Sequence, residues 1–505
     1  MALRAAKPVP GYQIYFLARH GLCLPKGDTP FTGYDRSMDE TTRYDLIVIG
    51  SGPAGEKGAA QAALLGKRVA LIEKGQHLGG AAANTGTLPS KTLRETALFL
   101  SGFQQRELYG LDACLRDRAT VQDFLRRERR VAETERQRIA GSMGSHGIEL
   151  VRGTASFVDA HTVKVSGESE RTLRGDIVLI ATGSRPWHPP VFPAGQPDIY
   201  NSDTILQLER IPQSLIIAGG GVIGCEYACL FATLGVKVTV VEARDELLSF
   251  LDRDLSRALK ERMVALGIIF RMPDQIEHVE RDDEGDEVGW RCALCYGGSI
   301  VADTVLIAAG RSGNTESLNL AAAGLEAVKR GLLTVNTCFQ TSVPSIYAAG
   351  DVVGFPSLAS TSMEQARLAM SHAFQSNFMG HLAPILPYGI YTIPEASSAG
   401  ETEQSAKEKG IDAVCGRASF AANARGQIIG EQFGFIKLVF RREDMRLIGV
   451  HIIGESASEL VHIGLTAMLA EQGADLFLRT CYNYPTLSES YKSATYDALK
   501  RRNHA

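Results

Sequence analysis

Short apolar runs rich in β-branched residues recur along this chain, each closed by small residues that include glycine. In Asp45-Leu-Ile-Val-Ile-Gly50 no polar residue interrupts the four apolar positions, the pattern of a strand buried on both faces of a parallel sheet. Leu215–Ala218 repeats it ahead of Gly219. In both places a helical stretch follows, then a second apolar run ending in an acid, Val69–Glu73 and Val238–Glu242. Strand, turn, helix and strand in that order predict two βαβ units. Further strand-into-turn runs are Asp176–Gly183, Thr304–Arg311 and Ile346–Asp351.

Other stretches read differently. Between Val121 and Ile139 the pattern is a charge-dense helix. Its basic cluster Arg126–Arg130 is interleaved with Glu128, Glu133 and Glu135, which favours a solvated face over a nucleic-acid contact. The acidic, turn-rich Arg281–Gly289 reads as a hairpin loop. Strand-like Phe435–Phe440 and Leu447–Ile453, with a helix near Ser456–Gln472, form a unit without a glycine fingerprint. Residues 1–43 have no sustained periodicity and are broken by Pro8, Pro10, Pro25 and Pro30, so they read as a loose extension. Met38 is an equally good first residue. The fold class expected is α/β, with two Rossmann-like dinucleotide-binding domains and a C-terminal α+β dimerisation domain. The first domain takes 44–185 and 301–383, the second 186–300, and the third 384–505.

Composition removes several alternatives. The 505 residues carry a formal charge of −4, with no overall electrostatic footprint for nucleic acid or an anionic membrane. A hydrophobic fraction of 45% and a charged fraction of 22% exclude a mainly disordered chain. No apolar run reaches the ~18–20 residues that cross a bilayer. The patch near Ile14–Ala18 is too short for a secretory signal, and Asp28 and Asp35 argue against a transit peptide. Nine scattered cysteines fit a reduced, cytoplasmic protein. Cys292 and Cys295 form a lone CxxC with no second pair or His cluster, so strand or turn packing is expected and no metal site.

The two fingerprints carry the chemistry. Gly50-Ser-Gly52-Pro-Ala-Gly55 and Gly219-Gly-Gly221-Val-Ile-Gly224 each place an acid, Glu73 or Glu242, 23 residues beyond the first glycine. In such a motif the first glycine makes a tight turn and the second admits a pyrophosphate. The third lets helix and strand pack closely, and the acid accepts from a ribose. One copy is weak evidence; two with equal spacing predict two dinucleotides. FAD exchanging hydride with NAD or NADP is the expected pairing, and Asp351 is placed to bind flavin ribitol hydroxyls.

From Tyr44 to Arg501 the chain resembles the pyridine nucleotide–disulfide oxidoreductase family, and within it the soluble, Si-specific NAD(P) transhydrogenase branch. The resemblance rests on both fingerprints, Gly153-Thr154-Ala155, Ala181-Thr182-Gly183, Gly350-Asp351, Ile390-Tyr-Thr-Ile-Pro-Glu395 and Asn483-Tyr-Pro-Thr486. It also rests on the frame Gly79-Gly80-Ala81-Ala82-Ala83-Asn84-Thr85-Gly86-Thr87-Leu88-Pro89-Ser90-Lys91. Disulfide-using members read GGxCxNxGCxPSK there, so the two redox cysteines are replaced by Ala82 and Thr87. Without two thiolates there is no thiol–disulfide exchange. The transhydrogenases usually keep the first cysteine, so Ala82 departs even from them. Dithiol members also place a His before the late Pro, where this chain has Tyr484, with Glu489 kept. A tyrosine of ordinary pKa near 10 is a poor base.

The resemblance implies one non-covalent FAD per subunit and NADPH-to-NAD⁺ hydride transfer, ping-pong through the flavin. It implies an ion pair of Lys91 and Glu226 beside the flavin, the alternative being two ordinary helix residues. Flavin-side contacts expected are Gly50, Gly52, Gly55, Glu73, Lys74, Gly80, Ala81, Ala82, Thr87, Lys91, Thr154, Ala155, Thr182, Gly183, Asp351, Leu358 and Ala359. Nucleotide-side contacts are Gly219, Gly221, Ile223, Gly224, Glu242, Arg244 and Gly310. Glu242 suits a free ribose and so NAD; Arg244 either swings to a 2′-phosphate or is merely a surface arginine. A homodimer is implied, with Tyr484 and Glu489 near the partner's flavin. Other readings of the same residues are a dihydrolipoamide dehydrogenase-like enzyme, an NAD(P)H:quinone or dye reductase, and a non-catalytic nucleotide-sensing flavoprotein.

Overall fold

The computed structural model describes residues 42–102, 120–167, 170–282, 289–377 and 380–504. Cys23, Cys114 and the Met38 question lie outside them. Residues 42 and 43, expected in the extension, already belong to the first strand, where Thr42 pairs with Leu173 and Arg43 with Arg174.

That strand, Thr42–Ile49, is central to a seven-stranded sheet. On one side lie Val69–Glu73 and Glu149–Arg152, all parallel. On the other is the long strand Arg171–Ile180. Its second half pairs in parallel with Ile346–Ala348, while its first half joins an antiparallel meander of Thr154–Asp159 and Thr162–Ser166. Leu46, Ile47 and Val48 are fully buried because both faces are covered, one by helices that include Pro53–Leu64 and the other by the antiparallel meander with Leu318 and Leu320, as the uninterrupted apolar run requires. Each such side chain contributes roughly 1.5–3 kcal/mol.

The second fingerprint opens a five-stranded parallel sheet ordered Ile269–Arg271, Lys237–Val241, Ser214–Ala218, Thr304–Ile307, Ile199–Asn201. A separate antiparallel sheet holds Ile276–Asp282, Gly289–Leu294 and Ser299–Ala302. Residues 283–288 of the expected hairpin loop are outside the described residues. Cys292 is buried in that sheet, and burial pushes its thiol up to about 12; Cys295 is exposed. The C-terminal unit is a five-stranded antiparallel sheet, Tyr388–Ile390, Ala396–Gly400, Leu447–Ile453, Phe435–Arg441 and Ala413–Ser419, packed by helices Ala457–Leu469 and Ser490–His504. No helix among the described residues is long and apolar enough to cross a membrane.

The charge-dense helix runs Val121–Ser145, started by a capping box between Thr120 and Asp123. Its buried stripe is Val121, Phe124, Leu125, Glu128, Ala132, Ile139 and Met143. Glu128 therefore corrects the expectation of a wholly solvated acidic face: helical spacing puts it among the apolar positions, and burial raises its carboxyl. Arg138 instead reaches across to buried Glu56 with two bonds of 3.0 Å, fastening this helix to the first fingerprint helix, Pro53–Leu64.

A second polar anchor joins the C-terminal sheet to the helix Arg253–Ala265. Lys437, 3% exposed, bonds Asp252 at 3.0 Å, Asp254 at 2.8 Å and Glu403 at 2.7 Å. Burial alone would raise the fully buried Asp252 carboxyl. Charge from Lys437 and neighbouring His451 and a bond from the Glu403 N–H outweigh it and lower the carboxyl. Removing one partner of such a cluster strands the other charges, at a cost of about 3–5 kcal/mol. Lys437→Met should thus lower the first thermal unfolding transition by several degrees. Arg501→Ala, which breaks an exposed pair with Asp497, should leave it in place. Equal midpoints for the two variants would contradict this assignment.

Candidate active site

The glycines of the two fingerprints divide by what a side chain would strike. At Gly50 (φ +103°) and Gly219 (φ +118°) an added Cβ would lie 2.5 Å from a carbonyl oxygen, that of Ala181 or Ala308. At Gly55 and Gly224 it would lie 1.8 and 1.9 Å from the first glycine's own oxygen. These four positions are dictated by the chain's packing. The middle glycines are not. A Cβ on Gly52 would make only ordinary contact at 3.8 Å, and one on Gly221 would meet nothing within 4 Å. Their bareness serves something outside the polypeptide, as a pyrophosphate lying on the backbone would require.

The helix starts agree. Helices Pro53–Leu64, Thr87–Ser101, Val222–Thr233 and Ala359–Ala373 begin at Gly52, Gly86, Gly221 and Leu358, none of which caps with its side chain. Helices Val121–Ser145 and Arg253–Ala265 are capped by Thr120 and Asp252. Uncapped starts leave N–H donors and about half a positive charge facing outward, a seat for an anion.

Three of those four starts border one cavity of about 590 Å³, and the fourth, Val222–Thr233, contributes its first two residues. The cavity gathers most expected flavin-side residues. Gly50 and Gly52 come from the first turn, Glu73 and Lys74 from the next strand end, and Gly80, Ala81, Ala82, Thr87 and Lys91 from the replaced-cysteine frame. Thr154, Ala155, Thr182 and Gly183 form one wall, with Asp351, Leu358 and Ala359 at another. Gly55 is absent because its role is helix packing. Of the nucleotide-side set only Ile223 lines the cavity; Gly219, Gly221, Gly224, Glu242, Arg244 and Gly310 lie elsewhere. Gly310 has φ +109°, a backbone conformation that side-chain-bearing residues rarely adopt, so that glycine is accounted for within the chain.

Thr182 Oγ1 is buried on the cavity wall with no hydrogen-bond partner, as is the Tyr227 hydroxyl. Buried polar atoms are seldom left so, and here they border a space that a polar ligand would fill. No cysteine lines the cavity among the described residues. Cavity size, bare middle glycines, uncapped helix starts and the unpartnered hydroxyl together fit a bound dinucleotide such as FAD.

On the floor, Lys91 Nζ meets Glu226 Oε2 at 2.6 Å. The other carboxylate oxygen accepts the Tyr391 N–H at 2.9 Å, and the Lys91 ammonium lies 4.9 Å from the Tyr391 ring centroid. Helix Thr87–Ser101, helix Val222–Thr233 and the start of the C-terminal unit thus meet at one carboxylate.

The acids do more than await a ribose. Glu73 Oε2 accepts from the Ser51 N–H at 2.9 Å and the Ser51 hydroxyl at 2.6 Å, and Oε1 from the Gly75 N–H. Glu242 Oε2 accepts from the Gly220 N–H at 2.7 Å. Each acid pins the residue after its first glycine. Arg244, its side chain half exposed, is held on that acid: its Nε and backbone N–H both bond Glu242 Oε1, at 2.8 and 3.0 Å. Burial would raise the Glu242 carboxyl, but these bonds hold it below the usual carboxylate range.

Sequence reasoning quoted Arg311 and Tyr391 without assigning them to the site. Arg311 lines the cavity, where its Nε donates to Ser184 Oγ and that hydroxyl donates to Asp351, both at 2.7 Å. A strand running into Gly310-Arg311 was the available signal. Tyr484 is 74% exposed in this chain, outside the cavity.

Comparison with known proteins agrees with this geometry. Residues 44–373 match the family described as pyridine nucleotide-disulphide oxidoreductase, and residues 386–495 match that family's dimerisation domain. The soluble pyridine nucleotide transhydrogenase of Mycobacterium bovis BCG is 44% identical over 461 residues, 91% of this chain and 97% of that one. The corresponding protein of Serratia proteamaculans is 41% identical over 470 residues, 92% of this chain and all of the other. Among solved structures, LpdA from Mycobacterium tuberculosis superposes with a TM-score of 0.83 at 26% identity, covering 90% of this chain and 99% of that one. The chain belongs to the pyridine nucleotide-disulphide oxidoreductase family, on its soluble pyridine nucleotide transhydrogenase branch.

Proposed function

We propose that this protein is a Si-specific NAD(P)⁺ transhydrogenase of the cytoplasm, a homodimer with one non-covalent FAD per subunit. The observation that carries the reading is the Lys91–Glu226 pair on the floor of a cavity whose two thiol positions hold Ala82 and Thr87. When bound, the flavin supplies the hydride chemistry, accepting from a reduced nicotinamide and returning to an oxidised one.

The chain's residues supply position and charge. Gly50 and Gly52, with the uncapped helix starts, hold the pyrophosphate. Thr182 offers its hydroxyl and Asp351 its carboxylate to the cofactor's polar edge. Lys91, fixed by Glu226, would present positive charge where electron density collects during transfer. Glu226 in turn holds that ammonium in one rotamer. At the second fingerprint the Glu242–Arg244 pair is neutral overall. Glu242 suits a free ribose hydroxyl, while Arg244 can turn from one oxygen to a 2′-phosphate, so both nucleotides are admitted. Residues 384–505 would pair across a twofold axis and carry Tyr484 and Glu489 toward the partner's flavin, covering a tyrosine that one chain leaves exposed.

The decisive assay is hydride exchange from NADPH to an NAD⁺ analogue by the purified yellow protein, with a dithiol substrate as control. Exchange without dithiol turnover is expected; the reverse would sink the reading. Lys91→Ala and Glu226→Gln should each slow single-turnover flavin reduction by about 10²–10³-fold. Wild-type rates in both would show that the pair is structural only. Gly52→Ala should fold, since its Cβ meets only an ordinary contact, yet retain flavin at least roughly tenfold less tightly. Gly221→Ala should keep its flavin and weaken NADPH instead. Flavin content after gel filtration and NADPH titration separate the two.

A further inference from the structure

Three aromatic side chains from distant parts of the chain meet at the protein surface. Phe250 lies in the segment between Glu242 and helix Arg253–Ala265. Phe355 follows the turn Asp351–Val353, and Tyr388 opens the edge strand Tyr388–Ile390. Phe355 and Tyr388 stack with ring centroids 5.8 Å apart and planes 21° apart; Phe250 leans on Tyr388 at 5.5 Å and 46°. The cluster is not a core. Phe355 is 74% exposed and Phe250 39%. Single exposed apolar residues need no explanation, but three contiguous rings, two of them exposed and the third half-buried, do.

Their position supplies one. Ser357 and Leu358, just past Phe355, line the cavity, as do Pro387 and Gly389 on either side of Tyr388. Tyr391, three residues on, is the group that bonds Glu226. Phe250 is carried by the segment leaving the second fingerprint's acid. The stack is therefore continuous with the rim of the cavity, on the side where Tyr391 meets Glu226. Glu242 and Arg244, proposed above to receive the adenosine ribose, lie outside that cavity.

Resting on the hydride-transfer reading above, we infer that the open face of Phe355, backed by Tyr388 and Phe250, is an entry platform on which the planar nicotinamide ring stacks as each nucleotide enters and leaves. A planar ring is shared by NADPH and NAD⁺, whereas the 2′-phosphate sits at the far end of the molecule. The platform thus serves both nucleotides alike, which a site that exchanges one for the other through one mouth needs. Stacking of this kind is sequence-tolerant and reversible, as in other aromatic base platforms.

The test uses the flavin-loaded full chain with Phe355→Ala and Phe355→Trp. Phe355→Ala should lower kcat/KM for NADPH and for NAD⁺ by a similar factor, about tenfold, with the limiting single-turnover rate at saturation unchanged. Calorimetric affinity for NADP⁺ should fall in parallel, affinity for 2′,5′-ADP should stay constant, and Phe355→Trp should restore wild-type values. Unchanged NADP⁺ affinity would overturn the platform. So would an equal loss for 2′,5′-ADP, a fall in the limiting rate, or a shift in sedimentation, the last marking Phe355 as a contact between copies. Because wild-type exchange is measured in the same series, a failed platform is distinguishable from a failed transhydrogenase.

Discussion

A single carboxylate organises the centre of this molecule. Glu226 is nearly buried, and a buried charge persists only when its oxygens are satisfied. One oxygen is held by Lys91 from the first nucleotide-binding part, the other by the Tyr391 N–H from the C-terminal part. Glu226 itself rides on the helix of the second fingerprint. Apolar packing joins the three parts as well as filling each: one buried cluster brings Leu93 and Phe124 together with Leu230 and Leu255 and with Ile390 and Phe435. The paired charge supplies a directional constraint that apolar packing lacks, and it does so on the cavity floor where an ammonium is chemically useful.

The repeated fingerprint shows how one motif separates folding from binding. Its outer glycines are compelled by the chain's own backbone, and its middle glycine is free of it. The acid at the next strand end is similarly divided. It first accepts an N–H from the residue after the first glycine, stiffening the turn, and only its remaining capacity is available to a ribose. In the second copy that remaining capacity is shared with Arg244, so the charge facing a nucleotide is balanced before the nucleotide arrives.

Much of this was legible in the residues because it is local. Strand, turn, helix and acid fall within about two dozen residues, and steric rules for glycine act over that range; the parallel strands around each fingerprint and the first turn follow directly. Ala82 and Thr87 were legible only against a family frame. Contacts set by tertiary packing were not readable. Lys437 and Asp252 are 185 residues apart, and nothing near either announces the other. Glu128 looked like one more surface acid until the phase of its helix put it beneath the surface. Arg244 was ambiguous because a two-residue step past a strand end does not say which way a long side chain turns back.

The two interdomain anchors also explain why the rim of the cavity has its shape. Among the ties between the C-terminal unit and the second nucleotide-binding part are Tyr391 on Glu226 and Lys437 and the Glu403 N–H on Asp252. Phe250 and Tyr388 lie on the stretches adjacent to those ties, one just before Asp252, the other three residues before Tyr391. The polar ties flank the rings in sequence, and Phe250 and Phe355 stay exposed between them. The ties act beside an apolar seam in which Leu255 and Ile390 share one buried cluster with Phe435 and Ile453, with the two exposed rings at its edge.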